Sequence, residues 1–332
     1  MMPQPYPWQS EQWSSVQQRL QQERLPHALL LHGIEGMGKQ QFAQALAHSL
    51  LCEQRPESGL ACGECRGCKL IAAGNHPDLS EISPEEPGKN ITIDMIRRLA
   101  SKLSISSQYG GYKVVVLSPA EQMNIASANA LLKTLEEPTD NTILILVCSH
   151  IDRLLPTIRS RCQAVLFAEP EPKAALTWLM QHGSLDQQQA QLLFALSGQA
   201  PLRAKSLAKS EILSQRAELL AMLQKMARGE LTPVQVAEQG LKFGLADVIH
   251  WLSSWCMDMI RLNFISQPSR IDSPDLLSEL QPLSQQIDLQ RLYGYFDKLI
   301  EASRLARTQA NPQLLLEGVL IGWVRLCAKG RS

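Results

Sequence analysis

Two groups of residues in this chain have the types and spacing for chemistry. The first is Gly33-Ile-Glu-Gly-Met-Gly-Lys39, which fits the order glycine, four residues, glycine, lysine of a phosphate-binding loop. Glycines let successive backbone N–H groups turn toward one anion. A helix starting there adds the partial positive charge of its N-terminus, and Lys39 neutralises charge on β- and γ-phosphates. Gly33, Gly36, Gly38 and Lys39 are therefore the candidate nucleotide-binding residues. The second group is Cys62-Gly-Glu-Cys65-Arg-Gly-Cys68, with Cys52 ten residues upstream. Gly63 and Gly67 permit tight turns between the thiols. Such a set of four suits structural Zn²⁺ in a closed tetrahedral site, ahead of disulfides or an iron–sulfur cluster. A closed site has no open coordination position and is assigned no catalysis.

The phosphate loop lacks what hydrolysis needs. Gln40 stands where the pattern wants a Ser or Thr hydroxyl for Mg²⁺. The neighbouring strand, Val114-Val-Val-Leu117, ends in Ser118-Pro119 instead of carboxylates, so nothing there holds magnesium or polarises a nucleophile. Glu121 is the one nearby acid that could substitute. The expectation is weak or vestigial nucleotide binding and no hydrolysis.

Four further sets of residues have a bland reading. Ser160-Arg161-Cys162, preceded by Arg159, follows the last strand expected and reads as a solvated face unless a neighbouring subunit presents a phosphate there. Arg97 and Arg98, after Asp94, are surface charges on a helix. His76-Pro77-Asp78 reads as a turn with a capping Asp. Cys148, Cys162, Cys256 and Cys327 are isolated and read as core or near-core residues.

The elements that position these groups follow from periodicity. His27–His32, Val114–Leu117 and Ile143–Cys148 are continuous apolar runs of strand length, as a parallel sheet covered on both faces demands. Helices are expected from about Gln40 to Leu51 and over Asn124–Glu137, the latter with Ile125, Ala128, Leu131, Leu132 and Leu135 on one face and Pro138 as its stop. This is an α/β doubly wound domain ending near Phe167. Glu169-Pro-Glu-Pro172 is a stiff connector. Beyond it only helices are expected: 173–181, 186–196, one ending near Lys209, 245–264, 289–308 and 313–328. The stripe Val248, Leu252, Trp255, Met259, Leu262 reads as bundle core.

Composition bounds the rest. The 332 residues suffice for two or three domains, and 45% hydrophobic content excludes a mainly disordered chain. Lys+Arg 32 against Asp+Glu 32 leaves no global field to draw nucleic acid or an anionic membrane. No apolar run approaches the roughly 18 residues of a membrane span. The Met-Met-Pro-Gln-Pro-Tyr-Pro-Trp start has no basic region or cleavage site, so a cytoplasmic protein whose eight cysteines are thiols or metal ligands is expected.

These motifs together resemble the bacterial AAA+ clamp-loader family of DNA polymerase III, on its delta-prime side. The resemblance rests on Leu31-His-Gly-Ile-Glu-Gly-Met-Gly-Lys39, the Cys52/Cys62/Cys65/Cys68 module, Asn75-His-Pro-Asp78, Ala128-Asn-Ala-Leu-Leu-Lys-Thr-Leu-Glu-Glu-Pro138 and Ser160-Arg-Cys162, from about Leu29 to Cys162. It implies an AAA+ α/β domain over 1–167 with the zinc module at 52–68, a small helical lid over 168–209 and an all-α collar for oligomerisation over 210–332. It implies a non-hydrolysing stator that helps load the sliding clamp onto primed DNA, with gamma/tau and delta subunits as partners. The clamp would be touched indirectly or weakly, and primer-template DNA only through the complex. Arg161, flanked by Ser160 and Cys162, matches the family's trans-acting arginine and would serve a neighbour's ATP site. Gln40, Ser118 and Pro119 depart from the active-ATPase pattern and favour delta-prime over gamma/tau. Arg203 lies about one residue off the placement of the lid arginine. Two other readings stay open: a true AAA+ ATPase using Lys39 with Glu121, and a zinc-dependent nucleic-acid-binding protein, which zero net charge disfavours.

Overall fold

The computed structural model describes residues 2–327 apart from 87, 110, 266, 267, 269 and 307. The chain forms two compact units. One runs to His182 and includes Gln199–Arg203; the other comprises Gly183–Gly198 and the chain from Ala204 onward.

The first unit carries α1 (Ser10–Gln21), β1 (Ala28–His32), α2 (Lys39–Leu50), α3 (Arg66–Ala72), β2 (Leu79–Ile82), α4 (Ile93–Leu103), β3 (Lys113–Leu117), α5 (Ile125–Glu136), β4 (Thr142–Cys148), α6 (Pro156–Arg159), β5 (Gln163–Leu166) and most of α7 (Pro172–Gly183). The strands form one sheet in the order β2-β3-β4-β1-β5, with every neighbouring pair parallel. The central runs are apolar throughout because both faces are covered. Successive side chains point to opposite faces, so Leu29, Leu31, Val114, Val116, Ile143 and Ile145 pack with Trp13, Phe42 and Leu46 from α1 and α2. Leu30, Val115, Leu117, Leu144 and Leu146 pack with Ile96, Leu99, Leu131 and Leu135 from α4 and α5. The three expected strands are these central ones. The edges β2 and β5 are reached by solvent, and their sequences, Leu-Ser-Glu-Ile and Gln-Ala-Val-Leu, carry no apolar run to announce them.

Helix α5 is capped by Asn124, whose side chain accepts from Ser127 N at 2.8 Å, and Pro138 follows its end. Ile125 does not share the buried face expected of it. It occupies the first helical position and is 72% exposed. Lys113, at the start of β3, is buried. Its Nζ donates to Leu103 O at 2.6 Å, to Ile105 O at 3.3 Å and to Thr139 Oγ1 at 2.9 Å, so one cation satisfies carbonyls at the end of α4.

The second unit is helical: α8 (Gln187–Leu196), the remainder of α9 (Pro201–Leu207), α10 (Ile212–Ala227), α11 (Pro233–Gly240), α12 (Leu245–Phe264), α13 (Leu277–Gln286), α14 (Leu289–Leu305) and α15 (Pro312–Cys327). Expected position 328 lies outside the described residues, and α14 ends at Leu305, short of Thr308. Val248, Leu252, Trp255 and Met259 of α12 are buried and Leu262 is half-buried, as a bundle-core stripe should be. Two charges are sunk into this core without any warning in the sequence. Arg216 of α10 lies against the Trp255 ring, 5.5 Å from its centroid, and donates to both oxygens of Asp275 at 3.3 Å. Asp258 of α12 accepts from Asp272 N at 3.0 Å, Ser273 N at 2.8 Å and Arg261 Nη1 at 2.9 Å. Among the described residues no helix is long and apolar enough to cross a membrane.

Replacing Lys113 with Met would take its donor from Ile105 O and leave Leu103 O with Thr139 Oγ1. Lys113→Met is expected to lower unfolding free energy by about 2–3 kcal/mol, the scale of lost charge-assisted hydrogen bonds. Urea denaturation reads this directly, and an unchanged midpoint would show that these bonds carry no stability.

Candidate functional site

The phosphate-type loop lies where the sequence placed it, between β1 and α2. Gly33, Gly36 and Gly38 all have positive φ (142°, 86° and 84°), conformations that glycine adopts without strain. Each is also crowded by other parts of the chain. A Cβ on Gly33 would collide with Phe167 O, and one on Gly38 with the Tyr6 ring. One on Gly36 would come within 2.9 Å of Arg203 Cβ. Hydrogen bonds hold this packing in place. Trp8 Nε1 and Gln9 Nε2 both donate to Met37 O, at 3.0 and 2.8 Å, and Leu202 N donates to Gly36 O at 3.1 Å. Tyr6 OH donates to Gln41 Oε1 at 2.7 Å, and the Tyr6 ring stacks on Trp8, centroids 4.8 Å apart. Tyr6, Trp8 and Gln9 were not singled out from the sequence. The aromatic residues of Pro5-Tyr-Pro-Trp8 were the available signal.

Lys39 opens α2 and is buried. Its Nζ donates to Gly33 O and Ile34 O, both at 2.7 Å, so an incoming phosphate would compete with two short hydrogen bonds. Burial holds the Lys39 ammonium below the usual lysine range, while the Glu121 charge pulls it back up. Burial and Lys39 together lower His32. Burial, helped by the nearby Glu121 charge, pushes the Cys148 thiol up to about 12. Gln40 points to solvent. Ser118 and Pro119 follow β3 at the same edge of the sheet. Glu121 does reach this edge, but its Oε1 accepts from Ser149 N at 2.9 Å and His150 N at 3.2 Å. That oxygen ties down the turn after β4, and Oε2 is buried without a partner.

Arg161 lies at the opposite edge. Contrary to the expectation that it follows the domain's last strand, it comes just before β5, an edge strand without an apolar run, and the β1–β5 register pairs Gln163 with Leu29 near the start of β1. At about 3.3 Å per residue, most of β1 and the loop beyond it separate Arg161 from Lys39. Arg161 Nη1 donates to Thr157 O at 3.0 Å, and Nη2 pairs with Glu136 Oε1 at 2.6 Å. Ser160 caps the end of α6, its Oγ donating to Thr157 O. Burial pushes Cys162 up to about 11, which suits an inert near-core thiol. Arg97 and Arg98 are exposed on α4, in loose pairs with Asp94 at 3.7 Å and Glu85 at 4.0 Å. Asp78 caps the 104–109 loop, accepting from Ser107 Oγ and Gln108 N, so His76-Pro77-Asp78 is a turn.

The four expected thiols do gather. The Sγ atoms of Cys52, Cys62, Cys65 and Cys68 lie within 4.8 Å of one another, with Cys52–Cys65 at 4.0 Å and Cys62–Cys68 at 3.9 Å. A tetrahedral ion with metal–sulfur bonds near 2.3 Å sets its sulfurs about 3.8 Å apart, whereas a disulfide needs about 2.05 Å. Backbone N–H groups point at the sulfurs: Cys62 N at Cys52, Cys65 N at Cys62 and Cys68 N at Cys65, at 3.3–3.4 Å. Such donors favour thiolates. Those from Glu64 and Cys65 lower Cys62 to about 6, while burial raises Cys52 and Cys68. The donor set fits a metal ion held by four thiolates.

A parallel sheet covered by helices on both faces, with a phosphate-type loop between β1 and α2, defines an α/β fold of the P-loop kind. The comparisons with known proteins narrow this. Residues 8–171 match the family model described as DNA polymerase III, delta subunit, and residues 210–325 match the model of its C-terminal part. A DNA polymerase III subunit delta' from Pseudomonas aeruginosa is 36% identical over 330 residues, covering 98% of this chain and 99% of that protein. The subunit delta' of Escherichia coli is 33% identical over 319 residues, covering 95% and 94%. A subunit tau from Bacillus subtilis is 36% identical over 149 residues, 45% of this chain and 26% of that protein. The chain belongs to the DNA polymerase III subunit delta' family.

The thiol cluster can be tested alone. Cys65→Ser is expected to lose one equivalent of bound metal by elemental analysis and to lower Tm, because ligand removal opens a site that has little core beneath it. A metal-free native protein of unchanged Tm would rule the site out.

Proposed function

We propose that this chain is a non-hydrolysing subunit of the DNA polymerase III clamp loader, a stator that helps load the sliding clamp onto primed DNA. Its partners would be the gamma/tau ATPase subunits and the delta subunit. It would touch the clamp indirectly or weakly, meet primer-template DNA only through the complex, and have no role at a membrane. Residues 168–209 would be the lid and 210–332 the oligomerising collar. Tyr293, Ile300, Leu314 and Ile321, on α14 and α15, leave apolar surface exposed for collar contacts. The thiol cluster would hold structural Zn²⁺, with no part in catalysis.

One observation carries the reading: the chain's phosphate loop and its Arg161 lie at opposite edges of one parallel sheet. An arginine so far from its own loop has no phosphate of its own to meet. It would act in trans, stabilising charge that develops on a neighbour's γ-phosphate. The loop itself has Gln40, Ser118 and Pro119 in place of the magnesium-handling groups, and its outer wall is packed by Tyr6, Gln9 and Arg203. Binding of ATP here would be weak or vestigial.

A second reading, a working ATPase, draws on the proximity of Glu121 to Lys39. Against it, Glu121 Oε1 is committed to Ser149 and His150.

Two measurements decide. The purified chain with Mg·ATP is expected to show no turnover above background, unaltered by Lys39→Ala; robust turnover lost in Lys39→Ala would favour the ATPase reading. In a reconstituted loader, Arg161→Ala is expected to slow hydrolysis at the site it faces by up to roughly 10³–10⁵-fold, the range for trans arginines. Intact turnover of the complex would sink the trans role.

A further inference from the structure

The end of α5 holds a charge in an unfavourable place. Glu136 is the last residue of that helix, where the unpaired carbonyls give the helix its partial negative end and repel a carboxylate. A cation must offset this, and Arg161 does. Glu136 Oε1 lies 2.6 Å from Arg161 Nη2, while Arg161 Nη1 donates to Thr157 O at 3.0 Å. The pair is half-exposed, 36% for the arginine and 49% for the glutamate, so it contributes little to the stability of the fold. Together with the bond to Thr157 O, it selects one orientation of a long side chain. A guanidinium has five N–H groups. These two bonds use one on each terminal nitrogen, leaving Nε–H and one on each of Nη1 and Nη2 for phosphoryl oxygens.

We propose that Glu136 is a positioning residue for Arg161, holding one edge of the guanidinium so that its other N–H groups meet the phosphoryl group of a neighbouring subunit already oriented. The inference rests on the reading of Arg161 as a trans arginine. An arginine ordered in advance loses less conformational freedom when the transition state forms. Glu136 therefore acts on the rate constant of hydrolysis and not on how tightly the neighbour binds ATP.

The test uses the complete loader, with kcat and KM for ATP measured for Glu136→Ala, Glu136→Gln, Arg161→Ala and the Glu136→Ala/Arg161→Ala double variant. Glu136→Ala is expected to lower kcat by roughly two- to five-fold, the reach of a half-exposed ion pair, with KM unchanged. Glu136→Gln keeps an acceptor oxygen and is expected to recover most of the loss. The double variant is expected to match Arg161→Ala alone, since Glu136 works only through that arginine. An unchanged kcat in Glu136→Ala, or a loss that adds in full to that of Arg161→Ala, overturns the positioning role while leaving the trans arginine standing. An Arg161→Ala loader of normal kcat overturns both. Should Glu136→Ala fail to assemble, Glu136→Asp withdraws the carboxylate by one methylene, and a normal kcat there is equally fatal.

Discussion

The constraint on which the rest depends is the polarity of a parallel sheet. All five strands run the same way, so the first unit has two chemically different edges. At the carboxyl ends stand the phosphate-type loop, Ser118-Pro119, Glu121 and the turn at Ser149–His150. At the amino ends stand Arg161, Glu136 and the lysine that closes α4. The register of β1 against β5, Leu29 with Gln163, fixes the separation, and no side-chain rotation closes it. The two edges are independent in structure, and a substitution at the first leaves the contacts of the second intact. Gln40, Ser118 and Pro119 concern only the first edge. The pair formed by Arg161 and Glu136 belongs only to the second.

Packing explains why a loop poor in magnesium-handling groups keeps its glycines. Positive φ at Gly33, Gly36 and Gly38 is needed for the turn from β1 into α2, whatever binds there. Added to this, Phe167, Arg203 and Tyr6 each sit where a Cβ would be. A larger residue at any of the three would strain the backbone and displace a neighbouring segment. Met37 O, turned outward, accepts from both Trp8 and Gln9. The buried Lys39 would likewise leave two loop carbonyls unserved if removed. The loop thus fastens its own unit together through its glycines, Met37 O and Lys39.

How much of this the sequence disclosed follows from burial. The central strands were legible because covering both faces makes a run wholly apolar, as in Val114-Val-Val-Leu117. The edge strands, covered less, had no such run. Helices α12, α14 and α15 announced themselves by period, and the thiol cluster by spacing, since four cysteines within so short a stretch have few other uses. What stayed hidden was pairing between residues far apart in the chain. Nothing local distinguishes Arg216 from a surface arginine until Trp255 and Asp275 close around it, and Asp258 is an ordinary helix residue until Asp272 and Ser273 bring their N–H groups. Glu136 was visible as part of the Ala128–Pro138 string, yet its ion-pair partner, Arg161, lies twenty-five positions on. The N-terminal aromatics were visible too, but only the fold brings them over Gly38.

The thiol module lies apart from the main cores of the first unit. Cys52 follows the C-terminus of α2, and Cys65 caps the start of α3, its sulfur accepting from Cys68 N. Apolar cover is thin there: among the described residues, Met2, Ala61 and Cys62 are the partly buried ones packed on the three buried thiols. A stretch so short cannot order itself by burial. The metal ion proposed for the four thiols would join four points of the chain at once and supply that order. Ring contacts extend beyond the module. Arg66 stacks on Tyr109 at 4.8 Å, and His76 packs beside the same ring at 5.7 Å, so α3 and the turn before β2 are held to the loop that leads into β3. Helix α2 therefore begins at the phosphate loop and ends at the thiol cluster. Its start follows the glycine loop, its end runs into Cys52 of the cluster, and Leu79 of β2 packs on the hydrophobic layer beneath.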